Sequence, residues 1–304
     1  MLEIYFKTIR DAEFKRIDEA RAGCWIYARE ATLDDITRIA ELTSLDVADL
    51  RDSLDKYEVP RIERHGHSVI LFTRYPGDGE PGLYTEPLTI VMTDSFLITI
   101  SPTNSHIIDN LLIMHLHIAT TQKAKLLLYI LLRITQEFTT SIKRSRHAIL
   151  LHEEGKIDSD AIIVLTKNEE ILNQYLTALV PMRNLLETIA SERYVNLYEK
   201  DFDLLQDLMI AIRQSEDLCR VNVKSIRSLR DSYQILFTND VNRTIKRLTA
   251  ITIIFSIPTM VASIYGMNVI IPLQSYAYAF PIVMGIAASG CIFAIILFLK
   301  NRWL

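Results

Sequence analysis

Charge is missing from one stretch of this sequence. From Leu248 through Leu299 there is no Asp, Glu, Lys, Arg or His, although the chain as a whole carries 33 basic and 37 acidic side chains. Soluble domains rarely contain so long a run without an ionisable group, which argues against a buried hairpin of a soluble protein. A helix of about 20 apolar residues crosses a bilayer. Two such segments fit here, roughly 248–266 and 280–299, joined by a turn-rich link, 267–279, with Pro272 and Gln274. Cysteine is scarce as well: Cys24, Cys219 and Cys291 are far apart, and their spacing makes neither a redox pair nor a metal knuckle. A reduced, cytosolic setting for most of the chain follows. A basic excess is also lacking, since the net charge is −4, so nucleic acid is not an expected partner. The first residues, Met-Leu-Glu-Ile-Tyr-Phe-Lys, lack the apolar core of a signal peptide. Insertion into a membrane is then expected from the internal segments.

Flanking charge orients the two spans. Lys246 and Arg247 precede the first, Lys300 and Arg302 follow the second, and the link has no basic residue. Cytoplasmic flanks carry the Lys/Arg excess. The expectation is a multi-pass protein of the cell membrane with both termini in the cytoplasm and 267–279 as a short outer loop. Tyr265, Tyr276, Tyr278 and Trp303 stand where interfacial aromatics belong.

The charged part divides in two. Residues 1–118 read as a mixed α and β domain, with strand-like runs at 2–6, 25–29, 68–75, 88–92 and 96–100. Helices fit 32–43, 47–54 and 105–117. Pro76, Gly77, Gly79, Pro81 and Gly82 make a loop rather than a phosphate cradle, because no Walker lysine follows. Residues 119–247 read as long helices. Glycine almost disappears there, leaving Gly155 to mark a turn between the first two. A third helix starts near Tyr198 and continues into the first span. Its residues Phe202, Leu205, Met209, Ile212, Cys219, Val223, Ile226, Tyr233 and Phe237 keep a 3,4 spacing, which predicts lengthwise packing against other helices.

The polar residues of the first span are ordered. Asn242, Thr249, Thr252, Ser256, Thr259, Ser263 and Gly266 follow at steps of 7, 3, 4, 3, 4 and 3, with Ile245 in the missing slot. They share one helical face, while Ile251, Ile254, Phe255, Met260 and Ile264 lie opposite. Three readings fit such a stripe: hydroxyls bonded to their own backbone, small residues that let helices approach, or the wall of a water-filled path. Its length, about seven turns, favours the third. The second span has small residues at Gly285, Ala287, Ala288, Ser289, Gly290 and Ala294, a packing pattern. Neutral oxygens without carboxylates suit a cation that keeps its water, and Mg²⁺ dehydrates reluctantly. Bare Zn²⁺ or Ni²⁺ would call for His, Cys or carboxylate ligands.

The first span ends in Tyr265-Gly266-Met267-Asn268. With two C-terminal spans and a long preceding helix, the sequence from about Trp25 onward resembles the CorA family of magnesium channels. The resemblance implies a homopentamer with a funnel-shaped cytosolic α+β domain, stalk helices and a pore walled by the first span, residues 248–304 forming the membrane domain. It implies that Gly266, Met267 and Asn268 form the outer selectivity filter for hydrated Mg²⁺, with Asn268 as a metal-facing amide ring. Asn242, Leu248 and Thr249 match the family's inner polar ring and constriction, and Thr259 falls on a pore position. Asp207 matches a carboxylate through which cytosolic Mg²⁺ closes the pore; its partner from the N-terminal domain is not assigned. Mg²⁺ is thus the transported and the regulatory ion, and no organic cofactor is implied. The link 267–279 departs from the family in having no acidic residue.

Other constellations carry less. His65-Gly66-His67 reads as a turn, His115 and His117 point to different helix faces, and Glu153-Glu154 and Glu169-Glu170 read as solvated surface. Glu199, Asp201, Asp203 and Asp207 suit a helix start as well as a sensor. No nucleophile–base pair or paired carboxylates is legible, so an enzyme is not expected. Transport of Co²⁺, Ni²⁺ or Zn²⁺ stays open, as does a membrane-anchored scaffold.

Overall fold

The computed structural model describes residues 1–77, 82–114, 117–153, 159–270, 272 and 278–303. It divides into two compact units, residues 1–156 with 163–229, and residues 157–162 with 230–304. The expected turn at Gly155, the pair His115–His117 and the link 267–279 fall wholly or partly outside the described residues.

The first unit is built on a seven-stranded sheet. Strands β1 (Leu2–Phe6), β2 (Lys15–Ile17), β3 (Trp25–Ala28), β4 (Arg61–His65), β5 (Ser68–Pro76), β6 (Thr85–Met92) and β7 (Leu97–Ile100) lie in the order β2-β1-β3-β7-β6-β5-β4. Among the described strands only β3 and β7 run parallel. A parallel pair needs a crossover, and the chain between them supplies it with α1 (Leu33–Thr43) and α2 (Val47–Arg51). Thr32 caps α1 through a reciprocal bond with Asp35, which satisfies two helix-start groups at once.

Period-two alternation sorts the sheet's side chains onto two faces. Ile26, Ile70, Phe72, Val91, Ile98 and Ile100 pack with Ile36 and Ile39 of α1 and Leu50 of α2. The other face buries Trp25, Tyr27, Leu71, Ile90 and Leu97, and α4 (Lys123–Glu153) crosses β5 there. Trp25 donates its indole Nε1–H to Thr99 Oγ1 at 3.1 Å, so the largest core side chain leaves no polar group unmatched.

Five strands stand where the sequence places them. The two it does not announce, β2 and β4, are the sheet's edges, and they read Lys-Arg-Ile and Arg-Ile-Glu-Arg-His. Charge on an edge strand opposes pairing with another chain and also hides the hydrophobic alternation. β6 begins three residues before the expected Leu88 and takes in Pro87. It can, because β7 pairs with β6 only from Thr89 onward, so Pro87 has no ladder bond to donate on that side. Gly66, at φ +62°, makes the turn between β4 and β5 as expected. Helix α3 (His106–Ile113) is shorter than the expected 105–117.

In the helical part of this unit, α5 (Ser159–Ala190) pairs with the start of α6 (Glu199–Tyr265). The heptad seam is real through Ile226: Leu205, Ile212, Cys219, Val223 and Ile226 are buried, together with Leu208, which fills an adjacent slot. Cys219 Sγ reaches the carbonyl of Leu172 on α5 at 3.2 Å. Phe202 and Phe237 are exposed, and Tyr233 is only partly covered. Glu169 overturns the surface reading: it is buried and ion-paired with Arg227 of α6 at 2.9 Å. A carboxylate at a helix–helix seam stays charged only with such a partner.

Candidate pore wall and its flanks

The second unit contains the last part of α6 and α7 (Ala279–Lys300). Both helices are long and apolar enough to cross a membrane. They meet as an antiparallel pair. Ala250 of α6 and Ala287 and Phe298 of α7 are buried, and Ile254, Ile257 and Val261, with Val283, Gly290, Cys291 and Ala294, are partly covered. A Cβ on Gly290 would stand 3.2 Å from Ile257 Cγ2, and Cys291 Sγ lies 3.6 Å from the Ile254 carbonyl. Small residues thus bring the two backbones together.

The packing face of α6 is therefore 250, 254, 257 and 261. At 100° per residue the stripe Thr249, Thr252, Ser256, Thr259 and Ser263 points about 150° away from it. All five are exposed in the single chain, so close approach of α7 does not explain them. The face expected opposite the stripe needs correction. Of Ile251, Ile254, Phe255, Met260 and Ile264 only Ile254 turns toward α7; the others are exposed. In the second span Ala287, Gly290 and Ala294 face α6, whereas Gly285, Ala288 and Ser289 do not.

Three hydroxyls bond to their own helix. Thr252 Oγ1 donates to the Leu248 carbonyl at 2.9 Å, Ser256 Oγ to that of Thr252 at 2.7 Å, and Thr259 Oγ1 to that of Phe255 at 2.9 Å. With its one proton engaged, a hydroxyl has only lone pairs left to present. The waters around a hydrated cation turn their own protons outward. A wall of acceptor oxygens matches that shell without competing for the metal.

Gly266 closes the helix. Its amide bonds the carbonyls of Ala262 and Ser263 at 2.9 and 3.2 Å, and a Cβ there would lie 3.3 Å from the Ala262 oxygen. Met267 and Asn268 follow, both exposed. Leu248 and Ile245 are exposed as well. Asn242 lies at the border of the stripe, in a recess shared with Asn239, Arg243, Lys246, Arg247, Leu299, Arg302 and Trp303.

Asp207 is exposed on α6 in the first unit. Among the described residues no group of three or more His, Cys, Asp or Glu is placed to hold a metal. Nearby Asp201 is buried at the helix start; its amide bonds the Tyr198 carbonyl at 2.7 Å.

Known proteins share this arrangement. The family described as "CorA-like Mg2+ transporter protein" matches residues 21–300. The cobalt/magnesium transport protein CorA of Methanocaldococcus jannaschii is 23% identical over 298 residues, covering 92% of this chain and 91% of its own. The complete structure of that organism's CorA magnesium transporter superposes with a TM-score of 0.79 at 21% identity, over 100% of this chain and 99% of the other. The full-length CmaX protein gives 0.73 at 17% identity, over 99% and 97%. With its sheet domain and its 67-residue helix, which with α7 makes the two helices able to cross a membrane, the chain belongs to the CorA-like Mg²⁺ transporter family.

Proposed function

We propose that this chain forms a homopentameric channel that admits hydrated Mg²⁺ passively and closes when cytosolic Mg²⁺ is high. The observation that carries the reading is the uncovered acceptor stripe of α6, which leads to Gly266-Met267-Asn268 and turns away from α7. Five such faces around an axis would wall a path from Asn242, past Ile245, Leu248 and Thr249, to a ring of Asn268 amides. The basic flanks Lys246, Arg247, Lys300 and Arg302 support cytoplasmic termini. A divalent ion then gains about 4–5 kcal/mol per 100 mV of inside-negative potential, enough to drive entry without another energy source.

Asp207 serves as the sensor carboxylate, completed by a neighbouring subunit; among the described residues of one chain no group of three or more His, Cys, Asp or Glu is placed to hold the ion. Mg²⁺ bound there would hold adjacent cytosolic units together and bias the pore toward closure. The family membership supports Mg²⁺ as the ion. Relatives named cobalt/magnesium transport proteins support Co²⁺ as a second one.

The test is ion flux into vesicles containing the purified chain. Asn268→Ala should abolish Mg²⁺ preference over Ca²⁺, and Asp207→Asn should raise the Mg²⁺ needed for closure. Unchanged selectivity would remove Asn268 from the filter, and an unchanged closing concentration would remove Asp207 from the sensor. Co²⁺ competition in the same assay separates the two ions.

A further inference from the structure

The end of α7 is built in an uncommon way. The amide of Trp303 bonds the Phe298 carbonyl at 2.9 Å, and that of Arg302 bonds the Leu299 carbonyl at 3.2 Å. With the Trp303 ring stacked on Phe298, centroids 5.5 Å apart, this is a complete Schellman turn. Such a turn requires a left-handed residue, ordinarily glycine. Here it is Arg302, at φ +57°. A side chain at that position costs conformational energy and places an extra cation at the turn.

Arg302 and Trp303 share a recess of about 550 Å³ with Arg243, Lys246 and Arg247 of α6, together with Asn239, Asn242 and Leu299. Among the described residues four cations line it and no carboxylate does. Among the described residues none of the four makes an ion pair with a carboxylate. Like charges gathered in one recess repel one another unless an anion joins them.

We propose that this recess binds the phosphate group of an anionic membrane lipid. The guanidinium groups of Arg243, Arg247 and Arg302 suit bidentate contact with phosphate oxygens, and the Asn239 amide supplies a neutral donor. The choice of a lipid over a soluble anion rests on position. The recess lies where the charge-free run begins, at Leu248, and where it ends, at Leu299, which is the level of the headgroups. An indole stacked beside it is the side chain favoured at that depth. Leu299 and Trp303 give the acyl end of the ligand an apolar flank, and basic recesses between spans on the cytoplasmic side suit acidic headgroups. The inference depends on the membrane spans alone and stands whether or not the pore conducts Mg²⁺.

The experiment is native mass spectrometry of the full chain, purified in detergent and titrated with phosphatidylglycerol or phosphatidylcholine. Phosphatidylglycerol should be retained about tenfold more tightly, and Arg302→Gly should weaken it about fivefold, the share of one interfacial cation. Glycine keeps the left-handed turn, so this variant removes charge without removing the cap; unchanged helicity by circular dichroism checks that. Arg243→Gln with Arg302→Gly should lose the preference, and Lys224→Gln, an exposed charge in the other unit, should not. Should the double variant fail to fold, the single one decides. Equal retention of the two lipids, or no effect of Arg302→Gly, would reduce the cations to a topology signal and overturn the site. Displacement of the lipid by millimolar inorganic phosphate would overturn the lipid assignment in favour of a soluble anion.

Discussion

Gly290 of α7 lies so close to Ile257 of α6 that a Cβ would come within 3.2 Å of the isoleucine's Cγ2. Ile257 is β-branched and stiff in a helix, so it yields little. This contact sets which face of α6 is spent on α7, and thereby which face is left for the acceptor stripe. Gly290→Val should destabilise the full chain by about 1–3 kcal/mol through overpacking. At Gly285 nothing lies within 4 Å, and Gly285→Ala should not destabilise the pair. Thermal unfolding of the detergent-solubilised chain checks both, and equal losses would mean that the seam is misplaced.

Glu169 and Arg227 tie α5 to α6. The carboxylate is buried and the guanidinium about half exposed. Arg227→Ala should cost about 1–2 kcal/mol, because a buried charge loses its cation. In the Arg227→Ala background, Glu169→Gln should recover part of that loss. Denaturant unfolding of the full chain gives the numbers, and strict additivity of the two changes would show that the pair is not coupled.

Burial pushes the Cys219 thiol from its ordinary value near 9 up to about 12. Being neutral at pH 8, it should resist a charged thiol reagent until the chain unfolds. The sign for stability follows from linkage. The folded state holds the proton more tightly than the unfolded state does. The contribution is therefore intact below pH 9 and lost as pH rises toward about 12. Cys219→Ser should flatten that alkaline fall, and an unchanged slope would assign the fall to other groups.

Much of this was legible in the sequence, and unevenly so. The membrane hairpin announced itself because a bilayer forbids charge, and nothing else in the chain mimics so long a gap. The core strands were legible because burial demands apolar runs. The edges β2 and β4 were not, since Lys15, Arg16, Arg61 and Arg64 sit where charge keeps other chains away. Glu169 misled for a related reason: a buried ion pair spells the same letters as a solvated surface, and only its partner 58 residues later tells them apart. The stripe of α6 could be read by period. Which neighbour left it open could not, because Gly290 and Ile257 meet only in the folded hairpin. Asp207 was legible only through the family resemblance: it lies on an exposed face, and among the described residues no group of three or more His, Cys, Asp or Glu marks a metal site.

The account turns on the stripe being a water-filled wall. The direct measurement is Mg²⁺ flux into vesicles holding the full chain with Thr259→Cys or Val261→Cys, in a background where Cys291 is serine, before and after a charged, water-soluble thiol reagent. Thr259 lies on the stripe and Val261 on the α7 seam. The reagent should block flux through Thr259→Cys within the first exposure and leave Val261→Cys conducting. Block at Val261→Cys with none at Thr259→Cys would place the pore elsewhere and contradict the account.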